Sequence, residues 1–203
     1  MAKLITVEGL DCAGKSSVII PYLRSKLGEE NYHYVADMKT GKISQKIREI
    51  FMSPECVTED TDWRTIAYLA SAARSDLVVQ HIIPALKAGK NVIADRYVDT
   101  SFVYNLDSHK QPIDTILNLS VHLVYPHTII FAYCSYEEMS LRKTLRDGGD
   151  NDQWDLSSKE AYDSKLERYR EQFASRSCNV IEINTSGSLD ETYVKLDSVI
   201  SRL

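Results

Sequence analysis

An α/β protein with a parallel sheet covered by helices is what this chain predicts, and three observations carry that expectation. Strand-like and helix-like segments alternate from end to end, the pattern of a sheet wound by crossover helices. The stretch Gly9-Leu-Asp-Cys-Ala-Gly-Lys-Ser16 fits G-x-x-x-x-G-K-[ST], and it lies between a short apolar run and a helical pattern, where a phosphate-binding loop belongs. A charged pair, Asp95 and Arg96, falls just past another apolar strand, at the sheet edge where open α/β proteins bind ligands.

Leu4, Ile5 and Val7 mark the first strand, and Ser17 to Leu27 follows as a helix with apolar residues at helical spacing. Pro21 falls inside that helix, where it is expected to remove a hydrogen bond and bend the axis. Further strands are placed near Tyr32 to Ala36, Asn91 to Ala94, Thr128 to Tyr133 and Val180 to Ile183. The longest helix is expected from about Thr61 to Ala88, capped by Asp60 or Thr61, bent at Pro84 and stopped at Gly89. Other helices are placed at roughly Ile43 to Met52, Pro112 to Leu123, Glu137 to Arg146, Ser157 to Arg176 and Leu189 to Arg202. Asp147-Gly-Gly-Asp-Asn-Asp-Gln153 is polar and glycine-rich between two helices, which suits a mobile lid over about 142–155. No repeat, low-complexity tract or linker divides the chain, so 1–203 is expected to form one domain.

A net charge of −5 argues against a protein that coats nucleic acid, and a local basic pocket is still allowed. The apolar runs are too short to cross a bilayer, and the N-terminus lacks the apolar core of a signal peptide. Cys12, Cys56, Cys134 and Cys178 are widely spaced, which fits neither a zinc site nor a disulfide framework. The expected location is cytoplasmic, with no membrane contact and no nucleic-acid polymer as partner.

The loop chemistry follows from residue type. Gly9 and Gly14 permit positive φ, so successive backbone N–H groups can wrap a phosphate at the helix N-terminus. Lys15, at an expected exposed loop-to-helix junction, brings charge to the β and γ phosphates, and the Ser16 hydroxyl sits on Mg²⁺. Asp95 and Arg96 in isolation fit a structural ion pair. Beside a phosphate loop, Asp95 suits Mg²⁺ or its water, and Arg96 suits a second phosphate. Arg74 follows Ala70, Ser71, Ala72 and Ala73, small residues that let something approach the helix closely, against the plainer reading of a solvated arginine. Arg142, Lys143 and Arg146 end a helix, where the dipole favours cations, and they also lead into the lid segment.

Glu8-Gly-Leu-Asp-Cys-Ala-Gly-Lys-Ser16, the Arg74 helix with Ile82-Ile-Pro-Ala-Leu-Lys-Ala-Gly-Lys90, and Asp95-Arg-Tyr-Val-Asp-Thr-Ser101 together resemble thymidylate kinase over nearly the whole chain. The resemblance implies a P-loop kinase fold with a five-stranded parallel sheet flanked by helices and a short lid. It implies Mg²⁺-dependent transfer of the γ-phosphate of ATP to dTMP, usually by a homodimer. The stretch Gly9, Leu10, Asp11, Cys12, Ala13, Gly14, Lys15, Ser16 and Ser17 would then bind ATP, with Arg142 beside it. Asp11 resembles the carboxylate near the acceptor, Arg96 the acceptor-phosphate arginine and Arg74 the arginine that bonds the pyrimidine. Tyr104 resembles the ring that crowds the 2′ position, and Asp95 and Ser101 lie in the same acceptor block.

Three departures from the family pattern bear on specificity and catalysis. Lys39 stands where an arginine usually serves the acceptor phosphate. Ala70 replaces the usual stacking Phe, with Tyr68 and Phe102 as candidates to fill its place, and Cys12 occupies a position that is arginine in one branch. The lid arginines, Arg146 or Arg142, would then supply the catalytic charge. The expected activity is a deoxypyrimidine monophosphate kinase. The alternatives are a broader or altered-specificity kinase acting for instance on a 5-substituted dUMP, a deoxynucleoside kinase, and a catalytically silent nucleotide-binding homologue.

Overall fold

The computed structural model describes residues 1–58, 60–109, 113–145 and 158–203. Five strands, β1 Leu4–Gly9, β2 Tyr32–Ala36, β3 Asn91–Asp95, β4 Thr128–Tyr133 and β5 Asn179–Asn184, form one sheet in the order β2-β3-β1-β4-β5. Every pairing is parallel, as the alternation of elements requires. Helices α1 Ile20–Leu27, α2 Lys42–Phe51, α3 Trp63–Leu77, α4 Ile83–Lys87, α5 Val98–His109, α6 Ile113–Ser120, α7 Tyr136–Leu145, α8 Lys159–Ala174 and α9 Leu189–Ile200 flank it.

Because strand side chains alternate between faces, β1 feeds two cores. Ile5 and Val7 join Ile93 and Ile130 beneath Leu23 of α1 and Leu196 and Val199 of α9. Leu4 packs on the opposite face with Val92, Leu77 and Tyr97, while Ile129 and Phe131 meet Tyr162, Tyr169 and Phe173 of α8. Thr6 and Glu8 are buried as well, so this strand carries polar groups inside the protein.

Both prolines are accommodated by the same local device. A π-helical turn, Lys15–Ile19, precedes α1, and a second, Val78–Ile82, joins α3 to α4. In each, the amide after the turn reaches five residues back, Ile20 to Lys15 and Ile83 to Val78. Each proline then takes the first turn of a fresh α segment, where its missing N–H is no loss. The expected single helix from Thr61 to Ala88 is therefore three segments. It begins behind Asp62, whose carboxylate accepts the Arg64 N–H at 2.8 Å, in place of a cap at Asp60 or Thr61.

One helix escapes sequence reasoning. In α5, Asp99 and Ser101 are buried alongside Val98, Phe102, Val103 and Tyr104, so polar and apolar residues are mixed around the axis and no apolar stripe announces it.

Gly9 ends β1 at φ 142°, and a Cβ there would lie 2.0 Å from the Ala132 carbonyl oxygen of β4. Its first requirement is thus close contact with the neighbouring strand. Gly9→Ala is expected to destabilise the fold by at least about 3 kcal/mol, which corresponds to about 6 to 12 °C in Tm for a chain of this size. Thermal denaturation followed by circular dichroism reads this out, and a Tm unchanged from the native protein would contradict the contact.

Candidate active site

The C-terminal ends of β1 and β3 open onto a cavity of about 520 Å³ whose wall includes Lys15, Ser16, Lys39, Arg48, Asp95 and Arg96. Four cations around one hollow suit a polyanion. The loop lines it from Asp11 to Ser17. Leu10 and Ala13 turn their side chains into the core, and Ser17 stands at the outer rim. Gly14 at φ 75° and Cys12 at φ 55° supply the left-handed turns that aim the amides inward.

Lys15 is 6% exposed, which corrects the expectation of an exposed junction. Its Nζ donates to the Leu10 carbonyl at 2.6 Å. Burial, reinforced by the nearby Arg96 charge, draws its pKa down to about 8 against the opposing pull of Asp11, Asp95 and Glu8. The Ser16 hydroxyl donates to Asp95 Oδ2 at 2.6 Å, and the Tyr34 hydroxyl reaches the same oxygen at 3.5 Å. A hydroxyl and a carboxylate side by side on the cavity wall are hard oxygen donors, the set that Mg²⁺ prefers.

A second hollow of about 150 Å³ adjoins the first, and Asp11, Asp37, Arg48 and Arg96 line both. Its farther wall contains Met38, Phe51, Met52, Ala70, Ser101 and Tyr104. Arg96, in the left-handed conformation at φ 64°, donates to Asp11 Oδ1 at 2.5 Å and to the Gly9 carbonyl at 3.0 Å. Tyr104 donates to the other Asp11 oxygen at 2.9 Å. Burial raises the Asp11 pKa, but the charges of Arg96 and Lys15 outweigh it and hold the carboxyl below its usual range.

Arg74 is buried and paired with Asp37 at 2.8 Å, so the solvated reading of this arginine is excluded. The small residues before it serve two neighbours. The Ala73 carbonyl accepts the Ser44 hydroxyl of α2 at 2.7 Å, whereas Ala70 borders the hollow. Tyr68 points away at 60% exposure and Phe102 lies in the core, so neither fills the space beside Ala70. Phe51 borders that hollow instead, from α2.

Arg142 lies on the other side of the loop, in a groove with Cys12, Gly14, Ser17, Thr185 and Gly187. It donates to the Thr185 carbonyl at 2.7 Å and to the Cys12 carbonyl at 3.2 Å, tying the segment after β5 to the phosphate loop. These contacts place it beside the loop's outer face and away from the cavity that holds Lys15. Arg146 and the rest of the expected lid, 146–155, lie outside the described residues.

Sequence reasoning missed Arg48 and Phe51, which share a face of α2 at i, i+3 spacing, and the buried Glu8. The signal for Glu8 was present: an acid inside an otherwise apolar strand, one residue before the loop. Its carboxyl is lifted above the ordinary range by burial, with the nearby Asp99 adding to the effect.

If Lys15 titrates near pH 8 when free and a bound polyphosphate favours its charged form, binding must take up a proton above that pH. At pH 8.5, calorimetry of ADP binding in two buffers of different ionisation enthalpy is expected to show net proton uptake, because the lowered lysine pKa leaves part of the free protein's Lys15 neutral there. Zero uptake would mean that the lysine titrates elsewhere.

A family model described as thymidylate kinase matches residues 7–195. Thymidylate kinase from Ligilactobacillus salivarius is 30% identical over 208 residues, covering 99% of this chain and 97% of that protein. Thymidylate kinase from Staphylococcus epidermidis is 29% identical over 202 residues, covering 95% of this chain and 96% of that one. Among solved structures, thymidylate kinase from Candida albicans, reported with broad substrate specificity, aligns with a TM-score of 0.76 at 22% identity over 99% of this chain and 92% of that one. At that identity the likeness shows a shared fold. With a family model running from within β1 to within α9, beneath both hollows, the chain belongs to the thymidylate kinase family.

Proposed function

We propose that the protein transfers the γ-phosphoryl group of ATP to dTMP, giving dTDP and ADP. The observation that carries this reading is the junction of two hollows, a cationic one for a polyphosphate and a smaller, partly apolar one, with Arg96 and Asp11 on the wall between them. A donor and an acceptor phosphate would meet at that wall. An oxygen of the acceptor phosphate attacks the γ phosphorus, the bond to the β–γ bridging oxygen breaks, and ADP leaves with that electron pair. A phosphate monoester is largely a dianion at neutral pH, so the nucleophile brings no proton that a base must remove.

In this reading Asp11 is an orienting group: ionised, it holds Arg96 with one oxygen and accepts Tyr104 with the other. Lys15, freed from the Leu10 carbonyl, would bridge to the β and γ phosphates, and Arg96, Arg48 and Lys39 would serve the acceptor phosphate. Ser16 and Asp95 would hold Mg²⁺, whose chemistry when bound is charge neutralisation at the phosphate oxygens. The Cys12, Arg142 and Thr185 groove would take the donor's nucleoside end. Arg74 would face the pyrimidine, with Ser101 and Tyr104 beside the base and sugar. Family membership supports a single domain, a homodimer and a cytoplasmic location, and no described helix is long and apolar enough to cross a membrane.

Ala70 favours a second reading of specificity. With only a methyl group there and Phe51, Met38 and Met52 around it, the hollow suits extra bulk at C5, so 5-hydroxymethyl-dUMP is expected to be accepted alongside dTMP, and dUMP, which lacks the C5 methyl, to lose only that group's contact. Comparison of kcat/KM for the three monophosphates in the native chain and in Ala70→Phe decides it. A strong native preference for dTMP that the Phe variant leaves unchanged would remove Ala70 from the base site.

A coupled ADP-release assay over nucleosides and monophosphates tests the overall reaction, since a silent homologue gives no signal and a nucleoside kinase prefers the unphosphorylated acceptor. In that assay Lys15→Met should lower kcat at least about 100-fold, with circular dichroism confirming the fold. Phe51→Ala should raise KM for dTMP by roughly 5- to 100-fold, the scale of a lost base contact, while KM for ATP stays near its native value. An equal rise in both constants would show that Phe51 supports the loop rather than the acceptor.

A further inference from the structure

Glu8 takes no part in the reaction described above, yet it is fully buried at the end of β1 and touches the turn that carries Arg96. One oxygen, Oε1, accepts the Tyr97 N–H at 2.7 Å. The other, Oε2, accepts the Thr100 hydroxyl at 2.7 Å and the Tyr169 hydroxyl of α8 at 3.4 Å. The carboxyl group thus spans the chain from the residue after Arg96 to the first turn of α5. Arg96 itself sits at φ 64°, a left-handed conformation that a side chain of its size adopts only when its surroundings hold it there.

From the opposite direction, the Arg96 guanidinium returns to the strand that bears Glu8. It donates to the Gly9 carbonyl at 3.0 Å and to Thr100 Oγ1 at 3.4 Å, so the Thr100 hydroxyl donates a hydrogen bond to Glu8 and accepts one from Arg96. Two staples therefore join the ends of β1 and β3: side chain of one to main chain of the other, each way.

We infer that Glu8 is a positioning residue for the acceptor phosphate: by clamping Tyr97 and Thr100 it holds the Arg96 turn in its left-handed form and points the guanidinium at the wall shared by the two hollows. This rests on the reading that Arg96 grips the acceptor. Glu8→Leu keeps much of the bulk and removes both acceptors, whereas Glu8→Gln keeps an acceptor for Tyr97 and offers Thr100 a donor.

Steady-state kinetics on folded variants provide the test. Glu8→Leu is expected to lower kcat/KM for dTMP about 100-fold or more while KM for ATP moves less than about threefold, and Glu8→Gln should recover most of the loss. A role confined to stability would lower Tm and the active fraction without separating the two substrates. If Glu8→Leu does not fold, Thr100→Val cuts the same bond from the other side, with Thr100→Ser as its rescue. Native acceptor kinetics in folded Glu8→Leu, or in Thr100→Val when Glu8→Leu does not fold, overturn the inference. Arg96→Met separates the two ideas: if it too leaves the dTMP constants unchanged, the acceptor reading fails, and if it alone disturbs them, only the clamp fails.

Discussion

The contact between Arg96 and Asp11 is the constraint on which this site depends. It joins loops that follow two neighbouring strands, and it does so with one side chain drawn from each. A half-buried ion pair of this kind gains Coulomb energy and gives up hydration, so its net contribution to stability is modest. Its larger effect is geometric. With one end on Asp11 and another on the Gly9 carbonyl, the guanidinium lies along the seam between two hollows, its charge facing the place where two phosphates would repel each other.

That arrangement needs a rigid floor, and the sheet provides it. The approach of Gly9 to Ala132 leaves no room for a side chain, so the strand end cannot shift without disturbing β4. The two π turns serve the same purpose on the helix side. Each absorbs a proline without opening the core, and Ile19, Ile20 and Leu23 remain fully packed around the first of them. Local irregularity and global order are thus compatible because the wider turns change hydrogen-bond register and leave the buried faces aligned.

Much of the fold was legible in the sequence, because five apolar runs of strand length separated by helical patterns leave few architectures open. Lys15, Ser16, Asp95 and Arg96 were legible for a related reason: their motif fixes main-chain geometry, and geometry brings the side chains together. What escaped depended on tertiary contact. Phe51 shares its helix with Ile43 and Ile50, which stay exposed, so the pattern alone does not say which apolar residue is buried until α2 folds over α3; the first turns of α5 have no apolar stripe because Asp99 and Ser101 are buried there with Val98 and Phe102. Lys15 was legible as part of the loop and misjudged in exposure, since burial of a lysine depends on loops that close over it. Arg142 joins two loops through a bond between segments more than forty residues apart, which no local pattern encodes.

The Arg142 bond bears on how the groove beside it would respond to a guest. Loops that bind nucleotides often pay an entropic penalty when they order around the guest. Here Arg142 links the phosphate loop, through the Cys12 carbonyl, to Thr185, whose hydroxyl also donates to the Ala13 carbonyl. The wall is therefore held together by the chain's own hydrogen bonds. A groove braced in this way discriminates by complementarity of shape, since a guest that does not match it would have to break those bonds to be admitted.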